Sequence, residues 1–230
     1  APEDGYRFGM DFGNAYYSSN WFFTFGCKLF GEDGEDPSFC DFNSPGGIAA
    51  MEYVIGNRDN FISLTTSEAV ALFSEHRLGA YIDGPWSAAE ITDKLLGNYG
   101  CAMLPSADGK PIVSFAGYKL YCVTANTTDI NTAMELAAWL TNTANQKYRF
   151  EQRNLIPVAA ALVDDMDVAV SNTAKALMAQ GPNAVKMPSI PQMSSFWGPT
   201  GNFTFACYNG EIEIDELPGK LDLLVKEIIG

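Results

Sequence analysis

Basic residues are scarce. Fourteen Lys and Arg stand against 28 Asp and Glu in 230 residues, a formal net charge of −14. That balance repels a phosphate backbone, so nucleic acid is excluded as the partner. Histidine is scarcer, with His76 the single copy. A histidine-based triad would rest on it alone, no G-x-S-x-G elbow presents a serine, and histidines cannot assemble a zinc set. The phosphate loops G-x-x-x-x-G-K-[ST] and G-x-G-x-x-G are both missing, which removes the usual footholds for nucleotide chemistry. Five cysteines (Cys27, Cys40, Cys101, Cys122, Cys207) include no C-x-x-C pair, excluding a zinc ribbon or a thioredoxin motif. They read as buried, reduced thiols, with Cys27 and Cys40 near enough in sequence to pair. No apolar run reaches the ~18 residues of a spanning helix. The first residues, APEDGYRFGMDF, show neither a basic stretch nor an apolar core, so no signal peptide is visible and the compartment stays open.

What the chain does have is apolar and aromatic surface. The apolar fraction is 47 % and the aromatic fraction 13 %, a globular composition. Residues 6 to 30 carry Tyr6, Phe8, Phe12, Tyr16, Tyr17, Trp21, Phe22, Phe23, Phe25 and Phe30, and the part from Asn20 to Leu29 reads as a buried helix or strand. The acidic stretch 31–44 reads as a surface loop; it lacks EF-hand spacing, so no metal site is expected there.

Ser44 and Pro45 predict a helix start, and Ile48, Met51 and Ile55 carry that helix to about Gly56. Ser67 with Glu68 predicts a second helix ending at Leu78-Gly79, with His76 on its polar face. Ala80-Tyr81-Ile82 predicts a strand that feeds the turn Asp83-Gly84-Pro85-Trp86 and a helix through Leu95. Residues 99 to 125 read as strands and turns, with YKLYCVTA (118–125) the best strand. Helices are expected from Asp129, from about Ala144, over 171–180 and over 214–228. The proline-rich segment leading to Trp197 reads as irregular. Helices alternate with short strands, so the class is α/β.

Paired carboxylates would be the remaining route to catalysis, with Asp11, Asp83, Glu90 or Asp215 as candidates. A turn or cap role fits Asp83 better. The aromatic residues are more distinctive: Trp86 at the tip of a turn, Trp197 after the proline-rich segment, and Tyr16 and Tyr17 in a loop beside Gly13-Asn14. Aromatic rings on loops suit the apolar C–H face of a pyranose, with amides and hydroxyls bonding its edge.

Three strings, EAVALFSEHRLGAYIDGPWSAAEI (68–91), NYGCAMLPSADGKPIVSFAGYKLYCVTA (98–125) and MPSIPQMSSFW (187–197), together with AAWLTNTANQ (137–146), resemble the maltose/maltodextrin-binding proteins in order and spacing. These are extracellular solute-binding proteins of ABC sugar importers. The resemblance covers nearly the whole chain, and IPQMSSFW is its most specific piece. It implies a periplasmic-binding-protein-like lobe of type II, helix-rich with a short mixed sheet. It implies non-catalytic binding of maltose or maltooligosaccharides by aromatic stacking, no cofactor, no metal, and delivery to an ABC permease. Trp86 and Trp197 match the stacking tryptophans, Tyr16 the stacking tyrosine with Tyr17 beside it, and Met187 a methionine lining the pocket. The family's glutamate before that tyrosine is Asn14 here, and Gly198-Pro199-Thr200-Gly201 replaces an aromatic-to-arginine segment that walls the pocket.

The resemblance further implies that residues 1–230 are the C-terminal lobe plus segments returning to the hinge, of which about 113–165 would pack on an N-terminal lobe outside this chain. The helices over 129–151 are then expected to expose an apolar face, open to self-association, and the full-length protein to be extracellular or periplasmic, tethered as a lipoprotein. Two other readings remain: a surface carbohydrate-binding adhesin using the same platform, and a glycosidase-like enzyme using an Asp/Glu pair.

Overall fold

Aromatic residues near the start of the chain organise the larger of its two cores. The computed structural model describes residues 8–230, and Tyr6 lies outside the described residues. Asn20–Thr24 is a short helix, all five residues buried. Its Phe22 stacks on Phe42 with ring centroids 4.1 Å apart and planes within 2°. The helix Pro45–Gly56 begins and ends as its proline and glycine predict. Ser44 holds the N-cap position without a side-chain cap bond; its hydroxyl instead lies 3.6 Å from the Cys27 thiol. Gly47 lets this helix close on the backbone, because a Cβ there would meet the Phe42 carbonyl oxygen at 1.8 Å. Pro45–Gly56 packs with Met193–Asn209 and Leu217–Ile229, and Leu217, Leu221, Leu224 and Ile228 line the last helix's buried face.

The sheets are small. Phe8–Met10 pairs in parallel with Phe61–Ser63, in register Phe8 to Phe61, and Gly9 bridges Tyr81 on its other side. Ser106–Ala107 and Lys110–Pro111 form a hairpin around Asp108-Gly109, both at positive φ as a two-residue turn requires. Ser114–Ala116 pairs in parallel with Ala184–Lys186. These elements fall in one compact unit: the described residues through Asp83, Leu104–Gly117 and Gln180–Gly230.

The second unit comprises Gly84–Met103 and Tyr118–Ala179. It is helical: Ala88–Leu95, Ile130–Thr141, Thr143–Arg153, Met166–Val170 and most of Asn172–Gln180. Asp129 and Asn142 cap two of these with their side chains. Its buried cluster is small (Phe150, Val168 and Ala174, with Ile156 against it). Lys147 ties Thr143–Arg153 to the start of the helix Met166–Val170 through Asp165 at 2.6 Å and Asp167 at 2.9 Å. The helix Ile130–Thr141 buries none of its residues, and Ile130, Met134, Leu136 and Trp139 are each more than half exposed.

The structure corrects several expectations. The helix predicted from Ser67 starts at Thr66, because Thr65 and Glu68 close a capping box two residues before Ser67, and it stops at Ser74, short of the predicted Leu78-Gly79. His76 therefore lies beyond the helix, at φ 59° and exposed. Residues 118–125 form no strand: Tyr118, Leu120 and Tyr121 are at least half exposed, and no described strand lies beside them to complete a ladder. Tyr16 and Tyr17 sit on a helix, Ala15–Ser18, rather than in a loop. Trp197 sits within the helix Met193–Asn209, which continues through Pro199. The expected single mixed sheet is three separate two-stranded sheets among the described residues. No described helix is long and apolar enough to cross a membrane.

Candidate functional site

In the first unit the site is built outward from Asn14. Its backbone is extended and its side-chain oxygen accepts the Tyr16 N–H at 3.0 Å. The amide that replaces a glutamate here thus starts the helix that carries the two tyrosines. The Tyr16 and Tyr17 rings meet edge to face, 5.5 Å apart. Tyr17 points inward, 6 % exposed, and its hydroxyl donates to Asp83 at 3.2 Å. Burial, then the Asp83 carboxylate, push the Tyr17 phenol well above its ordinary range. Tyr16 stays half-buried, and burial alone raises its phenol.

A residue that sequence reasoning missed joins Tyr16 to Trp197. Phe115, 6 % exposed, lies 6.1 Å from the Tyr16 ring and 6.1 Å from the Trp197 ring. Phe23 at 4.8 Å and Phe196 at 6.0 Å hold Phe115 from behind. Two half-buried rings are therefore mounted on one buried ring. Phe115 belongs to the F-x-G string used for the resemblance, yet nothing in its spacing marks it as the link. Met187 joins the same group, its N–H donating to the Ala116 carbonyl at 3.4 Å. Gly117 lies against Tyr16, where a Cβ would meet the phenol oxygen at 3.6 Å.

Trp86 belongs to the second unit. It sits in the 3-10 turn Pro85–Ser87, 54 % exposed, with its ring folded over Gly84. A Cβ on Gly84 would fall 2.2 Å from that ring, so the glycine of the DGPW turn clears space for the indole. The structure thus gathers Asn14, Tyr16, Tyr17, Trp197 and Met187 in one unit, and Trp86 is displayed by the other.

The carboxylates raised as catalytic candidates are engaged locally. Asp83 takes the Tyr17 hydroxyl, Asp11 accepts the Gly13 N–H at 3.1 Å, and Glu90 pairs with Lys94 at 3.0 Å. Asp215 is exposed in the 3-10 turn Ile214–Glu216. Among the described residues no three His, Cys, Asp or Glu side chains form a group fit for a metal ion. All five cysteines are free: Cys27, Cys40 and Cys207 are buried, whereas Cys101 and Cys122 are exposed, contrary to the expectation that all are interior.

Residues 5–180 match the family described as bacterial extracellular solute-binding protein. The chain is 31 % identical over 209 residues to the galactooligosaccharide-binding protein of Bacillus subtilis (strain 168), covering 85 % of this chain and 49 % of that one. It is 26 % identical over 238 residues to the maltooligosaccharide ABC transporter solute-binding lipoprotein of Streptococcus pneumoniae (strain ATCC BAA-255 / R6), covering 100 % of this chain and 56 % of that one. The chain spans about half the length of these curated relatives. Its backbone is similar to a maltodextrin-binding protein from L. casei BL23, solved without ligand, with a TM-score of 0.86, 27 % identity, and coverage of 100 % of this chain and 66 % of that one. The fold is accordingly that of a type II, maltose-binding-like periplasmic protein.

Proposed function

The chain belongs to the bacterial extracellular solute-binding protein family, and from that membership we propose that it binds an oligosaccharide without transforming it. The supporting observation is the half-buried pair Tyr16 and Trp197 mounted on Phe115. Held rings lose little entropy when a sugar face stacks on them. Met187 is an apolar wall, Asn14 and Tyr17 hold the tyrosine helix in place, and Trp86 offers a stacking ring of its own on the second unit. The ligand class is maltose and maltooligosaccharides, after the pneumococcal and lactobacillar relatives. A second reading, a galactooligosaccharide, is favoured by the Bacillus subtilis relative.

In the longer protein, a second lobe supplies the opposing hydrogen bonds, and ligand stabilises the closed state because both lobes contact it only there. The closed form is what an ABC permease reads, with the protein held outside the cell by a lipid tether. Residues 118–165 pack on that lobe, a shorter span than the 113–165 expected because Ser114–Ala116 pairs within the first unit. Support for this comes from the exposed face of Ile130–Thr141 and from the unladdered apolar run at 118–124. The adhesin alternative lacks the permease step, and the glycosidase alternative requires release of reducing ends.

Tryptophan fluorescence of the chain, titrated in parallel with maltotriose and a galactotriose, tests the reading. A saturable change with one sugar in the millimolar range or below, abolished by Trp197→Ala, is expected. A folded sample that responds to neither sugar refutes the platform.

A further inference from the structure

Cys27 and Cys40 close off a loop that carries most of the acidic stretch: Glu32, Asp33, Glu35 and Asp36 lie between them. The chain enters this loop through residues 28–30 and leaves it through 39–41 as a short antiparallel pair. Leu29 bridges Cys40, the Phe30 N–H donates to the Phe39 carbonyl at 2.8 Å, and the Asp41 N–H donates to the Lys28 carbonyl at 3.3 Å. In that register Cys40 faces Leu29, and Cys27 faces Phe42. Side chains alternate along a strand, so Cys27 shares a face with Leu29 and hence with Cys40. Burial agrees: Cys27, Leu29, Cys40 and Phe42 are buried, whereas Lys28 is exposed and Asp41 half-buried. The two cysteines are thus diagonal neighbours on one buried face. Such neighbours lie ~7–8 Å apart at Cα against ~4.4–6.8 Å in disulfides, and strand twist draws one diagonal of each pair together. The Cys40 sulfur leans toward its neighbour, because it accepts the N–H of Phe42, the residue opposite Cys27.

The family is extracellular, and outside the cell disulfides form and persist. The loop also backs the stacking group. Gly34, buried at φ 72°, packs so closely on Pro188 that a Cβ would meet its ring at 3.0 Å, and Glu35 pairs with Lys186 at 3.1 Å. Met187 lies between those two contacts. From this register we infer that Cys27 and Cys40 are a disulfide pair in an oxidising medium, closing a ring over residues 27–40 that staples the loop behind Met187. The oxidant is a small disulfide such as glutathione disulfide. One cysteine thiolate attacks it, breaking its S–S bond and releasing a glutathione thiolate. The second cysteine thiolate attacks the resulting mixed disulfide at the first cysteine's sulfur, forming the Cys27–Cys40 bond and releasing the other glutathione. Both protons pass to the glutathiones, so the cysteines lose two electrons and the oxidant gains them. In the reduced folded chain burial keeps both thiols neutral and covered, so exchange is slow there and the bond forms during folding.

The test is to unfold the chain in guanidinium and refold it with dithiothreitol or with mixed reduced and oxidised glutathione. Each sample is then denatured and alkylated with iodoacetamide. Five alkylated cysteines are expected after dithiothreitol and two fewer after glutathione. Trypsin cuts after Lys28, between the two cysteines, so the unreduced digest should link the peptide ending at Lys28 to the one beginning at Leu29. The oxidised chain should melt about 3–10 °C above the reduced one, and Cys40→Ser should abolish that difference. Five alkylated cysteines after glutathione refolding overturn the inference. So does a bridge between any other two cysteines, or glutathione retained on Cys27 or Cys40. A Cys27–Cys40 bond that leaves the midpoint unchanged overturns the staple.

Discussion

At the scale of single residues, buried polar atoms and thiols carry the sharpest consequences. The Thr204 hydroxyl is fully buried, 2.7 Å from the Phe12 carbonyl and 2.7 Å from the Ser18 hydroxyl, and so pins the Met193–Asn209 helix to the chain ahead of the tyrosine helix and to that helix's last residue. Thr204→Val keeps the shape and strands those partners, so urea unfolding should show a loss of about 1–3 kcal/mol. Burial raises the Cys27 thiol to about 11 and those of Cys40 and Cys207 to about 12. Neutral thiols are thus favoured by the folded state. Their contribution is full below about pH 9, where the unfolded thiols are also protonated, and is lost as pH rises through 11 to 12. Urea midpoints measured from pH 8 to 11 should fall, and fall less in the triple variant Cys27→Ala, Cys40→Ala, Cys207→Ala. An equal fall in the two proteins would assign the effect to the tyrosines instead. Gly84→Ala should displace the Trp86 ring, because a Cβ there would fall 2.2 Å from it, and the shift in tryptophan emission reads that displacement.

At the scale of elements, local signals compete with packing. The capping box of Thr65 and Glu68 decides where the Thr66–Ser74 helix begins. Thr65→Ala should cost about 1 kcal/mol in the same unfolding assay. Sequence reasoning reads Ser67 beside Glu68 as the start, whereas the capping-box spacing Thr65-x-x-Glu68 places the cap two residues earlier. Pro199 was expected to mark irregular chain. It lacks one helical N–H, yet Met193, Phe196, Thr200, Phe203 and Cys207 bury a long stripe that holds the helix through it. The opposite failure occurs at 118–125, where a run of strand-favouring residues predicts a strand and no described strand pairs with it. The helix Ile130–Thr141 starts at its predicted cap, Asp129, and Ile130, Met134, Leu136 and Trp139 are exposed on it. Isolated, the chain should associate with rising concentration in sedimentation experiments, and Met134→Glu with Trp139→Glu should suppress that.

At the scale of the whole molecule, the two units are unequally consolidated. The first has a continuous aromatic and aliphatic core from Met10 to Ile228, and the second a buried cluster of three residues. Amides in the helices Ile130–Thr141 and Thr143–Arg153 should therefore exchange with deuterium faster than those in Pro45–Gly56 and Leu217–Ile229, and equal protection would contradict this. Much of this molecule could be read from the chain alone. Charge excluded a phosphate ligand, helical spacing placed most helices within a turn, and the DGPW and IPQMSSFW strings pointed to the family that the chain matches. Those are properties of neighbours in sequence, where steric rules and periodicity act directly. Phe115 as the mount for Tyr16 and Trp197 and the inward turn of Tyr17 onto Asp83 depend on residues many tens of positions apart. Only the folded chain brings them together, because burial rewards the fit of surfaces and leaves no periodic trace of which surfaces meet.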